Sequence, residues 1–206
     1  MKLKKGIKRG LGILLIVLII ILAFAIFTNK FNKEKEVEEI KIINEITDFD
    51  YKLKENATDN YKKLFDELKS VLISEDVQEE EYVKIIAQMF IIDFYTLTNK
   101  ISQTDIGGIS FVHNSIKDNF QLKAMDTMYK YVESNLYGDR NQILPEVNEV
   151  VIGEVNVVSF EYNSTIDKNA FEVNATWNYK NDLGYDTKAR MIFVHEEDKL
   201  SLVEIV

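Results

Sequence analysis

The 206-residue chain contains no cysteine, which excludes disulfides, thiolate nucleophiles, sulfur-ligated metals and attachment of lipid through a thiol. Histidine is nearly as scarce. His113 and His195 are the only two, so no helix-spaced imidazole pair exists to hold a metal. Glycine occurs eight times, and its one doublet, Gly107-Gly108, lacks the spacing and the lysine of a phosphate-cradling loop. The many serines, threonines and aspartates form no nucleophile-elbow or triad signature. These gaps leave no basis for expecting a metal or a cofactor. Acidic side chains are missing altogether before Glu34, and that absence sets the topology.

The first nine residues carry Lys2, Lys4, Lys5, Lys8 and Arg9. Gly10 to Phe27 then runs without a single polar side chain, and its centre, Ile13 to Leu22, is built from isoleucine, leucine and valine alone. A buried soluble helix would retain some polar face, and this stretch has none. At ~1.5 Å per residue Leu11 to Phe27 spans roughly 25 Å, a little under the ~30 Å of a bilayer core, and Lys8, Arg9 and Lys30 can snorkel to cover the difference. The expectation is a transmembrane helix over residues 10–28 behind a cytoplasmic tip of residues 1–9, with everything after it outside the cell membrane. The alternative is a cleaved signal peptide, because Ala23-Phe24-Ala25 fits a small-x-small site and would leave the domain secreted. The apolar run is longer than an ordinary signal core and continues past that site through Ile26 and Phe27.

From Glu34 onward 34 carboxylates face 18 basic residues, a net charge of −16. Such a surface repels nucleic acid and anionic lipid, so no nucleic-acid partner is expected. Beyond the anchor about 175 residues remain, enough for one domain with its own core. Residues 29–50 read as a juxtamembrane linker, either a helical stalk or a short strand around Ile40 to Ile43, and residues 51–206 as an α+β domain.

Hydrophobic spacing of three and four predicts a helix from about Thr58, with Thr58 or Asn56 as cap, presenting Tyr61, Leu64, Leu68 and Val71-Leu72. A second helix is predicted over Glu79 to Lys100, and its apolar face is wide enough to be enclosed on more than one side. Ile109 to Val112 reads as a short strand, and a third helix runs from about Asn119 to Leu136 with Gly138 as its left-handed stop. After Pro145 the period becomes two. Four strands are predicted: Val150 to Tyr162, with a change of phase near Val157-Val158, then Phe171 to Tyr179, Thr187 to His195, and Leu200 to Ile205. Short connections make these an antiparallel meander, one face of which the helices can cover.

The element order helix, helix, short strand, helix, four strands resembles the nuclear-transport-factor-2-like fold over roughly residues 50–206. That resemblance implies a strongly curved sheet wrapped around helices as a cone with a cavity. The phrases Phe90-Ile-Ile-Asp-Phe-Tyr95, Glu133-Ser-Asn-Leu-Tyr-Gly138 and Trp177-Asn-Tyr-Lys180 look like those of uncharacterised membrane-anchored proteins of low-GC Gram-positive bacteria. The Lys-rich composition, 22 Lys against 3 Arg, agrees. A single span followed by such a cone also resembles scaffold subunits of type IV secretion and conjugation machines. None of these resemblances carries an assigned activity to particular residues.

Among polar residues Asp93 stands out, because it sits between Met89 and Leu97 on the apolar face of the second helix. A carboxylate there is desolvated and titrates high unless paired, which suits a general base in a cavity. The plainer reading is a structural aspartate satisfied by Arg140, a tyrosine hydroxyl or backbone amides. Tyr95, Trp177 and Tyr179 are candidates for a pocket wall, with ordinary core packing as the plainer reading. His195, at a strand end beside Glu196 and Glu197, reads as structural or solvated rather than as a metal ligand. The leading expectation is a membrane-anchored extracytoplasmic binding or scaffold module with a protein partner or a second copy at the cell surface. The alternatives are a small cavity enzyme using Asp93 as base, or a binder of a small apolar ligand.

Overall fold

The computed structural model describes residues 40–206. The predicted cytoplasmic tip of residues 1–9 and transmembrane helix of residues 10–28 lie outside the described residues. Among the described residues no helix is long and apolar enough to cross a membrane. The class is α+β: among the described residues three helices pack with a four-stranded antiparallel sheet.

A hairpin opens the described chain, β1 (Ile42–Ile46) with β2 (Tyr51–Lys54), turning through a 3₁₀ segment that ends on Asp50 at φ 51°. Of the stretch left open between stalk and strand, Ile42–Ile46 is a strand, slightly beyond the expected Ile40 to Ile43, and residues 29–39 lie outside the described residues. Lys199 fastens this hairpin to the sheet by donating to the carbonyls of Phe49 at 3.1 Å and Ser110 at 3.0 Å, with its ammonium 4.8 Å from the centre of the Tyr51 ring.

Helix α1 (Asp59–Ile73) starts where expected: the Thr58 hydroxyl accepts from the Tyr61 amide, occupying one of the free donors of the first turn. Its buried face is Tyr61, Phe65 and Leu68, with Leu64, Val71 and Leu72 half-buried beside it. Helix α2 (Glu79–Tyr95) buries ten of its residues, among them Val83, Ile86, Met89, Phe90 and Ile91. With α1 on one side and β-structure on the other it has no solvated face to speak of, as its wide apolar stripe predicts.

The second helix ends at Tyr95 rather than Lys100. Thr96 turns extended, its hydroxyl accepts from the Val147 amide at 3.2 Å, and the Leu97 amide donates to Pro145 at 2.9 Å. A tertiary strand-like contact thus takes the chain away from the helix with no glycine or proline to announce it. Ile109–Phe111 is a 3₁₀ turn, not a strand, although Val112 beside it forms a single parallel bridge to Leu202. Helix α3 (Lys117–Asp126) stops ten residues short of the expected Leu136. The break lets Tyr129, fully buried, turn its hydroxyl onto the carbonyl of Phe94 at 2.7 Å. Gly138 does adopt φ 64°, but in a tight turn well past the helix.

The meander is β3 (Val147–Tyr162), β4 (Thr165–Tyr179), β5 (Lys188–Glu196) and β6 (Lys199–Ile205), paired in that order. Asn163 and Ser164, both at positive φ, make the two-residue turn between β3 and β4 that matches strand twist. Along β3 the register slips at Val147/Glu149, Ile152/Val155 and Val158/Phe160; only the last lies at the change of phase near Val157-Val158. The helix-facing side carries Phe171, Val173, Ala175, Trp177, Met191, Phe193, Leu200 and Leu202 in one core with the helices. Ala170, Ile192 and Val194 alternate with these and bury a smaller cluster against Val158, Phe160 and Val203.

Candidate functional site

Two features of the sequence meet at the end of α2: the aspartate on an apolar face and the glycine doublet. Asp93 Oδ1 accepts from Lys100 Nζ at 2.5 Å, and Oδ2 accepts from the Gly108 amide at 2.7 Å. Lys100 is 3% exposed while the Asp93 side chain keeps 29% of its surface open. Burial pushes the Asp93 carboxyl up, but the Lys100 ammonium and the Gly108 amide outweigh it and hold the group below the usual carboxylate range. The condition under which a buried carboxylate titrates high, lack of a partner, is not met.

Glycine is required here by approach distance. A Cβ on Gly107 would lie 2.0 Å from the carbonyl oxygen of Asp93, and one on Gly108 would lie 2.7 Å from the Phe90 ring. Gly108 also sits at φ 74°, where an L-residue is strained. The Tyr129 hydroxyl completes the clasp, accepting from the Gly107 amide at 3.0 Å.

Arg140, the charged partner anticipated for Asp93, is engaged elsewhere. Its guanidinium donates to the carbonyls of Leu97, Thr98, Lys100 and Glu133 at 2.8 to 3.3 Å. Those carbonyls belong to irregular backbone with no ladder to join, and a fixed fork of five donors suits them better than one carboxylate would.

A cavity of about 220 Å³ reaches this clasp, lined by Asp93, Lys100, Tyr61, Asn99, Lys52 and Lys54. Burial and the neighbouring Asp93 charge push the Tyr61 hydroxyl well up, so it is a neutral donor at physiological pH. Asn99 donates to the carbonyl of Asn56 at 3.1 Å, and its own side-chain oxygen is buried without a partner. The cavity therefore offers lysine ammonium groups, a phenol and a carboxylate held ionised. A carboxylate with a lowered pKa is a poor proton acceptor, so its strength lies in binding.

A larger groove of about 760 Å³ lies elsewhere, against the sheet. Tyr95, Val151, Ala175, Ala189 and Ile205 contribute apolar surface, and Arg190 is among its charged residues. Tyr95 is thus a groove residue, but it does not line the cavity that reaches Asp93. Trp177, 5% exposed, packs on the Tyr95 ring at 4.6 Å between centroids and belongs to the core. The Tyr179 hydroxyl donates to the Asp186 carbonyl at 2.9 Å and is pushed up to about 12 by burial and the neighbouring acidic groups.

The histidines sit in a third cluster that spacing along the chain does not reveal. His195 places Nδ1 2.9 Å from Asp167 and Nε2 3.2 Å from Glu79, joining β5 to β4 and to the first turn of α2. Burial lowers its basicity, yet the two carboxylates outweigh that and raise its pKa. His113 places Nδ1 3.0 Å from the Ser115 hydroxyl and Nε2 3.6 Å from Glu196. Nδ1 also accepts from the Ser115 amide, so the ring caps a 3₁₀ turn. Among the described residues no group of three or more His, Asp or Glu side chains is placed to hold a metal ion.

Lys100 and Gly108 are the residues that reading the sequence did not connect with Asp93. The available signal was the doublet itself, since adjacent glycines mark close backbone approach. Comparison with protein-family models, curated proteins and solved structures finds no match to this chain.

Proposed function

We propose that this chain is a membrane-tethered binding or scaffold module whose domain works outside the cell membrane, held by residues 10–28 with the basic tip in the cytoplasm. The observation that carries the reading is the groove beside Tyr95, whose volume of about 760 Å³ falls in the range of small-ligand sites. The state of Asp93 supports it from the other side: the most suggestive carboxylate is engaged by Lys100 and Gly108 in closing a loop. The bulged β3 and the helices gathered on one sheet face support the further reading that the domain is of the nuclear-transport-factor-2-like cone type.

The test is a photocrosslinking residue at Ala189, in the groove, in intact membranes. The expected result is a discrete crosslink to a protein or to a second copy. No crosslink, together with a strictly monomeric purified chain free of co-purified ligand mass, counts decisively against the reading. Location is tested separately: protease added to whole protoplasts digests residues beyond the anchor, and full protection overturns the topology.

A second reading, a small cavity enzyme with Asp93 as base, is favoured by one observation, the cavity of about 220 Å³ that reaches the carboxylate. Substrate would have to displace Lys100 to free the base. Asp93→Asn with structure and every phenotype intact eliminates this reading.

A further inference from the structure

The edge of the sheet at β3 has unusual exposure and an unusual charge. β3 is an outer strand of 16 residues, paired on one side to β4. Its first residues are covered: Thr96 accepts from the Val147 amide and Asn60 donates to the Asn148 carbonyl. From Glu149 to Tyr162, among the described residues, its backbone makes no hydrogen bond beyond the ladder to β4. Proteins commonly blunt such an edge with lysine, proline or a covering element. β3 has no lysine and no proline, and the bulges that bend it leave two regular stretches, Glu149 to Ile152 and Val155 to Val158. Each presents an exposed valine, Val151 at 55% and Val157 at 63%.

The electrostatics of this edge are one-signed. Glu149, Glu154 and Glu161 are all exposed, Asp167 follows on β4, and no basic residue occurs between Val147 and Asp167. Glu154 and Glu161 have no ion-pair partner among the described residues. A second copy of β3 would bring three more glutamates and no compensating cation, so self-pairing is disfavoured. The first regular stretch also forms a wall of the large groove, which counts Val151 and Gly153 among its residues.

We infer that β3 is the docking edge for an extended, lysine- or arginine-bearing segment of a partner protein. That segment adds as a fifth strand over Glu149 to Val158, sets aliphatic side chains beside Val150, Ile152 and Val157 on the helix-facing side, and pairs its cations with Glu149 and Glu154. The inference rests on the binding-module reading and specifies its surface and partner chemistry.

The experiment uses the full chain in nanodiscs with three synthetic peptides of about ten residues. One alternates Lys and Val, one alternates Glu and Val, and one is the Lys-Val peptide interrupted by proline. Binding is read by fluorescence anisotropy, and its place by hydrogen exchange of the Glu149 to Val158 amides. The expected result is saturable binding of the uninterrupted Lys-Val peptide alone, weakened by salt, with new protection of those amides. Val157→Lys, at an exposed position that leaves the fold intact, lowers affinity by about tenfold or more. Binding without protection at β3, equal binding of the acidic or interrupted peptide, or no binding overturns the inference. A groove crosslink at Ala189 that persists when the peptides fail refutes the β3 edge alone, whereas absence of both refutes the binding module itself.

Discussion

Asp93→Asn removes a charge from the clasp while keeping its shape, since asparagine can still present an oxygen to the Gly108 amide. What it strands is Lys100, 3% exposed and 2.5 Å from the missing carboxylate. Two unit charges at that distance attract by about 7 kcal/mol at an effective dielectric of ~20, and most of this offsets the desolvation of both groups. Breaking a buried pair from one side costs about 3–5 kcal/mol in general; the opening beside Asp93 admits some water, so about 3 kcal/mol is expected here. With a urea slope of about 2 kcal/mol per molar, the unfolding midpoint falls by roughly 1.5 M. Lys100→Met should cost less, about 2 kcal/mol, because Asp93 keeps the Gly108 amide and part of its solvent exposure. The double variant strands no charge, so its cost falls short of the sum by about 2 kcal/mol, read in a double-mutant cycle. The pH dependence has a definite sign. A carboxyl lowered in the folded state stabilises above its unfolded value of about 3.9 and loses that contribution as pH falls through its folded value. The deficit of Asp93→Asn is therefore constant from neutrality to mildly acid pH and shrinks below it. Single variants each costing under about 0.5 kcal/mol and simply additive would refute the clasp as a coupled ion pair.

Gly107→Ala should be more damaging than either charge change, because its Cβ would meet the backbone oxygen of Asp93 at 2.0 Å; a loss above about 3 kcal/mol or failure to fold is expected in urea titration. Gly184→Ala, at φ 77° with open space around it, should cost only about 1 kcal/mol for backbone strain. Arg140→Lys should destabilise by about 2 kcal/mol, since an ammonium cannot hold carbonyls from Leu97, Thr98, Lys100 and Glu133 together. His195 has a raised pKa, so its link to Asp167 and Glu79 stabilises fully below about pH 6.5 and fades as pH rises through the folded value. With 34% of the ring exposed the effect is at most about 1 kcal/mol; thermal melts of His195→Gln should match wild type at high pH and fall below it at pH 6.

The parts of this protein that were legible beforehand are those encoded by periodicity over short distances. The alternation Phe171, Val173, Ala175, Trp177 against Glu172, Asn174, Thr176, Asn178 determined a half-buried strand, and the observed faces follow it. Thr58 and the apolar repeat after it determined where α1 begins, and the continuous apolar surface of α2 determined that it would be enclosed. The location of Asp93 on such a surface marked it in advance as a residue needing a partner.

The tertiary structure decided where helices stop and which partners meet. α2 ends because Thr96 and Leu97 bond to Pro145 and Val147, about fifty residues away, and α3 ends because Tyr129 is needed at Phe94 and Gly107. No local residue signals either event, since helix propensity is worth tenths of a kcal/mol per residue and long-range contacts override it. The same holds for the clasp: Asp93, Lys100 and Gly108 converge only after α2 has unwound, so of the partners expected for Asp93 a backbone amide is in place, Arg140 is bonded elsewhere, and spacing along the chain could not point to Lys100. Local order follows from composition and period, whereas charge pairing inside a fold depends on which backbone the core brings within hydrogen-bond distance.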